Sequence, residues 1–216
     1  RIDVTFHDMT TTARIGISLL SGDNGIAPGE LAQIVEALGF ESLWLPEHSH
    51  IPTSRETAWP GSLSGEPLPD VYARLLDTTV SLAMAAAVTT RLRLGTSVLL
   101  LGARDPLWTA KEYATLDSLS NGRVEMGVGF GWNREELANH GIDFTTRWDR
   151  TREAAAAIRA IWRDDVAEFH GEHVEFTPSW AWPKPTTALG PRMHIGGGTG
   201  PRLLGHVAQW GDGWLP

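Results

Sequence analysis

The chain contains no cysteine, which removes disulfides, a thiolate nucleophile and cysteine-held metal from consideration. It lacks any apolar stretch near the ~18 residues of a membrane span, and its first residues do not run basic then apolar as a secretory signal does. Both absences point to a cytoplasmic protein with no membrane partner. Positive charge is scarce: 18 basic residues face 26 acidic ones, for a net charge of −8. Phosphate backbones need a basic surface, so nucleic acid is not expected as a partner, and the sequence suggests no basic patch. No pair of histidines shares a helical face with a glutamate base. Hence the eight histidines, of which His170, His173, His194 and His206 lie closest in sequence, define no metal site.

What is present is an alternation of short apolar runs and helical periodicity. Ile15 to Leu20 and Ser42 to Leu45 read as strands. Between them Leu31, Ile34, Val35 and Leu38 recur at helical spacing before Gly39, a residue suited to closing a helix. A Pro/Gly/Ser-rich segment from His50 to Pro69 is too long for a tight connection and reads as a functional loop. Asp77 to Thr89 is expected to be helical with Val80, Ala83, Ala87 and Val88 inward. Asp105 and Pro106 cap a helix that ends near Leu119, ahead of an Asn121-Gly122 turn. Trp148 to Trp162 is the clearest amphipathic helix, with Ala155, Ile158, Ile161 and Trp162 inward. Glu168 to Phe176 reads as a small hairpin, and Gly200 to Gln209 as a short helix.

Three strands carry small residues at their ends: Leu92 to Leu99 with Gly95, Thr96 and Ser97; Val124 to Gly131; and Met193 to Gly200. In a parallel β/α barrel the strand ends hold the ligand, and glycine lets a flat ring or a phosphate approach the main chain. The expected fold is therefore α/β, of the (β/α)8 TIM-barrel type and truncated after a sixth strand at Gly213 to Leu215. Residues 1–13 are expected to be an N-terminal extension, foreign to the protein in its first eight residues, and 14–216 a single barrel domain without its last two β/α units. About 60 to 80 further residues would complete the eight-unit pattern.

Four separated segments carry a resemblance: Leu43-Trp-Leu-Pro-Glu-His48; Leu94-Gly-Thr-Ser-Val98 followed by Asp105-Pro106; Leu116 to Asn133 with its Gly-Val-Gly-Phe-Gly-Trp; and Ile195-Gly-Gly-Gly198 with Gly211-Asp-Gly-Trp214. From Arg14 onward the chain resembles the luciferase-like monooxygenase superfamily, within it the coenzyme F420-dependent oxidoreductases. The resemblance implies an enzyme with its cofactor at the strand ends, a cis peptide between Ser97 and Val98, and usually a homodimer. It implies that His48 lies beside the cofactor ring as the catalytic proton carrier, with His50 a loop residue, and that Ser97, Val98, Phe130 and Gly131 support the ring. The segment Ile195, Gly196, Gly197, Gly198 and Thr199, which precedes a helix, would offer amides to the cofactor's phosphate.

Two positions depart from the deazaflavin sugar-phosphate dehydrogenases. Pro52 stands where they carry a tryptophan, and Trp132 where they carry a carboxylate. This argues against a sugar-phosphate substrate and leaves the proton donor open. Glu135 and Glu136 lie within reach, although helix N-terminal residues facing the dipole are their expected role. Trp59, Trp180 and Trp182 are expected in loops over the site. The implied function is hydride transfer between F420 and a small organic substrate. The alternatives are a flavin mononucleotide-dependent monooxygenase of the same fold and a non-catalytic cofactor-binding protein or incomplete fragment.

Overall fold

A computed structural model describes residues 14–62, 64–187 and 189–216; the expected extension at 1–13 lies outside the described residues. Its strands are Gly16–Ser18 (β1), Ser42–Leu45 (β2), Arg93–Thr96 (β3), Val124–Val128 (β4), Ala167–His170 (β5), Glu175–Ser179 (β6), Arg192–Gly196 (β7) and Gly213–Leu215 (β8). Its helices are Pro28–Ala37 (α1), Thr78–Val88 (α2), Pro106–Ser120 (α3), Arg134–Asn139 (α4), Arg147–Arg163 (α5) and Pro201–Trp210 (α6). Six strands form one all-parallel sheet in the order β1-β2-β3-β4-β7-β8, curled into a half-barrel, while β5 and β6 form the separate antiparallel hairpin.

Local chemistry sets the helix ends. The Asp105 side chain accepts from the Trp108 amide ahead of Pro106, and Asn121 ends α3 in the left-handed region at φ 60°. The parallel register gives the sheet two unlike faces, because paired residues share a face and neighbours alternate. One row joins Leu43, Leu94 and Val124, with Leu45, Met126, Met193 and Ile195 on the same side. All are buried in the apolar core under the helices. The other row joins Trp44, Gly95, Glu125 and Arg192 on the concave side.

Helix α2 is oriented opposite to expectation. Ser81, Leu82 and Ala85 are buried, whereas Val80, Ala83, Ala87 and Val88 are exposed. Gly29 of α1 leaves room for Met84 and Val88 of α2 to pack beside it, so the partly exposed side of α2 borders α1 while Ser81, Leu82 and Ala85 face the core. Helix α5 buries Ala155, Ile158, Ile161 and Trp162 as expected. Trp180 and Trp182 do not cover the strand ends. Trp180 lies in a groove with Leu107, Trp108 and Ile161 on the helical side, and the Trp182 carbonyl accepts from Lys111 of α3. Among the described residues, no helix is long and apolar enough to cross a membrane.

Candidate active site

The C-terminal ends of the parallel strands surround a cavity of about 580 Å³. Of the residues expected there, His48, Ser97, Val98, Phe130, Gly131, Gly196, Gly197 and Gly198 line it. Ile195 does not: its side chain belongs to the opposite face of β7, fully buried in the core. Thr199 is not in the wall either. The wall gains Tyr72 from the 3-10 turn Asp70–Arg74, Arg147 and Trp148 from α5, and Leu203 from α6, none of which sequence reasoning had placed there.

The glycines at the strand ends are filled largely by protein. The Ser97–Val98 peptide is cis, and the Val98 side chain lies between two bare α-carbons. A Cβ on Gly129 would sit 2.2 Å from Val98 Cγ2, and one on Gly196 2.3 Å from Val98 Cγ1. On the concave face the Trp44 ring covers Gly95, where a Cβ would stand 2.2 Å from the ring. Gly198 and Gly200, by contrast, have open space where a side chain would be, so an incoming group can reach the backbone there.

Two buried carboxylates flank the end of β2 and do different things. Glu47 accepts from the Leu100 amide at 2.7 Å and pairs with Arg104, tying β2 to the segment after β3. Burial pushes its carboxyl up, against the pull of Arg104. Glu136 lies 2.6 Å through Oε2 from His48 Nδ1, with side chains only 1% and 6% exposed. Burial works against its ionisation, but the bonds from His48 and Ser49 hold it below the usual carboxylate range. The Trp132 indole donates to His48 Nε2 at 3.3 Å. Because an indole N–H only donates, Nε2 is an acceptor and the hydrogen sits on Nδ1, facing Glu136. A carboxylate thus reaches His48 from α4, four residues after Trp132.

Glu135 faces elsewhere. Its carboxylate accepts from the Thr57 hydroxyl at 2.7 Å and from the amides of Glu56 and Thr57, and these bonds hold its pKa at about 2. It anchors the long loop after β2. Both glutamates stand in the first turn of α4, as expected, and their carboxylates in addition reach out of the helix, Glu135 to the loop at Glu56 and Thr57 and Glu136 to His48 and Ser49. Trp59 packs on Tyr72 at 5.7 Å, and Tyr72 on His48 at 5.7 Å, so that part of the loop does reach the site.

The negative chain also gathers an unexpected cluster of positive charge around Arg147, which lines the cavity. Arg147 stacks on Phe144 at 3.6 Å, Arg134 on the same ring at 4.3 Å, and Arg202 on Trp148 at 4.7 Å. Burial lowers the Arg147 pKa, and repulsion from Arg202 and Arg134 adds to it. Among the described residues none of the three has a carboxylate partner within ion-pair distance, and the buried Arg147 Nε has no hydrogen-bond partner. Arg147 opens α5 and Arg202 follows Pro201 at the start of α6, where the helix dipole disfavours cations. That conflict was a readable signal: arginine in the first turn of two long helices invites an anion.

The half-barrel thus brings together, at its strand ends, a cavity, a carboxylate-backed histidine and an arginine without a carboxylate partner among the described residues. Residues 11–216 match the family model for luciferase-like monooxygenases, and the chain belongs to that family. An uncharacterized protein of Mycobacterium tuberculosis is 44% identical over 200 residues, which cover 93% of this chain and 71% of that protein. Among solved structures, a monooxygenase from Streptomyces bottropensis aligns with TM-score 0.74 and 25% identity, over 91% of this chain and 57% of the other. An F420-dependent secondary alcohol dehydrogenase in complex with an F420-acetone adduct gives TM-score 0.73 and 23% identity, over 92% and 56%. A type II Baeyer-Villiger monooxygenase of Pseudomonas putida in complex with FMN gives 0.65 and 16%, over 85% and 51%. The chain thus spans a little over half the length of these solved chains.

Proposed function

We propose that this protein is an F420-dependent oxidoreductase that moves a hydride between the deazaflavin and a small organic substrate. The observation that carries the reading is His48, held by Glu136 and facing a cavity walled by Val98, Phe130 and the Gly196–Gly198 backbone. The wall suits such a cofactor: apolar side chains of Leu20, Val98, Leu100 and Phe130 offer contact to a flat ring. Open space at Gly198 and the unpaired Arg147 and Arg202 suit its anionic tail. A deazaflavin supplies two-electron chemistry with little oxygen activation.

His48 is the proton carrier in this reading. A substrate hydroxyl that displaces the 3.3 Å indole contact meets Nε2, whose lone pair takes its proton while Glu136 stabilises the imidazolium through Nδ1–H. In the reverse direction the imidazolium returns the proton to a carbonyl oxygen. Val98, seated on Gly129 and Gly196, would form a firm wall for the ring of a bound cofactor. A cytoplasmic homodimer acting on a small molecule belongs to the same proposal.

The experiment is an anaerobic titration of the chain with F420 and, separately, with flavin mononucleotide, following quenching of cofactor fluorescence. Saturable quenching of F420 alone is expected. Binding of flavin mononucleotide alone would transfer the case to a monooxygenase, which the similarity to the FMN complex supports. Binding of neither would overturn both.

A further inference from the structure

The machinery around His48 extends beyond Glu136 to a cluster facing away from the main cavity. The Ser49 amide donates to Glu136 Oε1 at 2.9 Å. Its hydroxyl has three neighbours: His140 Nε2 at 2.7 Å, His50 Nδ1 at 2.9 Å and Glu136 Oε1 at 3.2 Å. A serine hydroxyl carries one hydrogen and two acceptor lone pairs. Asn139 Nδ2 donates to His50 Nε2 at 2.8 Å, so neutral His50 carries its hydrogen on Nδ1 and gives it to Ser49. The hydroxyl's own hydrogen therefore has two competing destinations, His140 Nε2 and Glu136 Oε1.

Which one wins depends on the charge of His140. Neutral His140 with its hydrogen on Nδ1 presents a bare Nε2 at the shorter distance and takes the hydrogen. Protonated His140 turns Nε2 into a donor, which fills the second lone pair of Ser49 and sends the hydroxyl hydrogen to Glu136. The extra bond stabilises the carboxylate and weakens its hold on His48 Nδ1–H. Repulsion from the new cation acts on His48 in the same direction.

We propose that Ser49 and His140 are positioning residues that set the proton affinity of His48 through Glu136. The outer face thereby controls how readily the cavity histidine accepts a proton. The proposal rests on the reading of His48 as the proton carrier. His140 is reachable from outside the main cavity, because it lines a second cavity of about 300 Å³ between α5 and the β5–β6 hairpin. The charged and titratable groups facing it there are Asp105, Arg150, His173 and Glu175. Glu47 and Arg104 meet Ser49 and His140 around a smaller cavity of about 90 Å³. Arg104 there pairs with both Glu47 and Glu112, and the His50 ring packs on His140 at 5.6 Å; of these groups only Ser49 bonds both His140 and Glu136.

The test is a histidine-resolved NMR titration of the unliganded chain, wild type against Ser49→Ala, Ser49→Thr and His140→Asn, paired with the pH dependence of kcat in the cofactor-loaded protein. In the wild type the His48 signal should show a second inflection where His140 titrates. His140→Asn should abolish that inflection, leaving a single His48 transition. Ser49→Ala should remove most of the coupling, and Ser49→Thr, which keeps the hydroxyl, should restore it. The acidic limb of the kcat profile should move with the NMR midpoint. A single, unchanged His48 titration in all four proteins overturns the proposal. NMR coupling as described, with no saturable binding of either cofactor in the fluorescence titration, supports this coupling and rejects the hydride-transfer reading.

Discussion

The two faces of the parallel sheet obey different rules. The outer face is a continuous apolar layer in which Leu43, Leu94, Met126, Met193 and Ile195 are fully buried under helices. The concave face carries Ser42, Trp44, Glu125 and His194, with glycines between them. Its polar groups satisfy one another: Trp44 donates to Ser42 at 2.8 Å, and Glu125 bonds Arg93 at 2.6 Å and His194 at 2.9 Å. Burial on the outer face is bulk hydrophobic stabilisation, roughly 25 cal/mol per Å², and tolerates exchange of similar shapes. The concave face and its rim depend on particular partners, so single atoms matter there. A β/α sheet can thus hold its fold with one face and leave the other to chemistry.

Substitutions should separate the two faces. The largest effect is expected from His48→Ala, which should lower kcat about 10²- to 10⁴-fold, the usual contribution of a positioned acid-base group. Cofactor affinity measured by fluorescence should stay near wild type; a parallel collapse of binding would make His48 a wall residue. On the outer face Leu94→Ala should cost about 2–5 kcal/mol in denaturant unfolding, with cofactor binding retained below the transition. Loss of binding without loss of stability would break the division.

Glu125 gives the concave face its own signature in pH. Burial raises its pKa, but His194, Arg192 and Arg93 outweigh that and bring it from 4.5 to about 2. A depressed carboxyl contributes stability in full above its unfolded value and loses it as pH falls through the folded one. The contribution, about 3 kcal/mol, should therefore fade between roughly pH 5 and pH 2. Thermal melts across that window should steepen for wild type and flatten for Glu125→Gln. Gly129→Ala, forced onto Val98, should cost about 1–3 kcal/mol by overpacking and weaken cofactor binding, which calorimetry would read. The smallest effect is expected from Glu135→Ala: faster proteolytic cleavage near Thr57 in the loop it anchors, with the global unfolding midpoint little changed.

Punctuation was the most legible part of the sequence. Gly39, at φ 83°, and Asn121-Gly122, with φ 60° and 77°, sit where the chain must turn left-handed, and such positions announce themselves by residue type. Strands were legible as alternating apolar runs. Helix orientation was less so: α2 is apolar on several sides, and only its neighbours decided that Leu82 faces in and Val80 out. Trp180 and Trp182 could not be placed from composition, since an aromatic in a loop covers a cofactor or a helix equally well. Glu136 lay within the expected reach of the site, yet its pairing with His48 joins residues 88 apart in sequence.

The sequence by itself determined the alternation of strands and helices, the parallel order that follows from crossovers, and the family, because each rests on local spacing or on segments kept in order. Only the tertiary structure decided which glycines are filled and which are open, that Ile195 faces the core, and that Arg134 and Arg202 gather beside Arg147 in the cavity wall. Those outcomes depend on which face a side chain takes and on what arrives opposite it from distant parts of the chain. Local spacing carries no record of either.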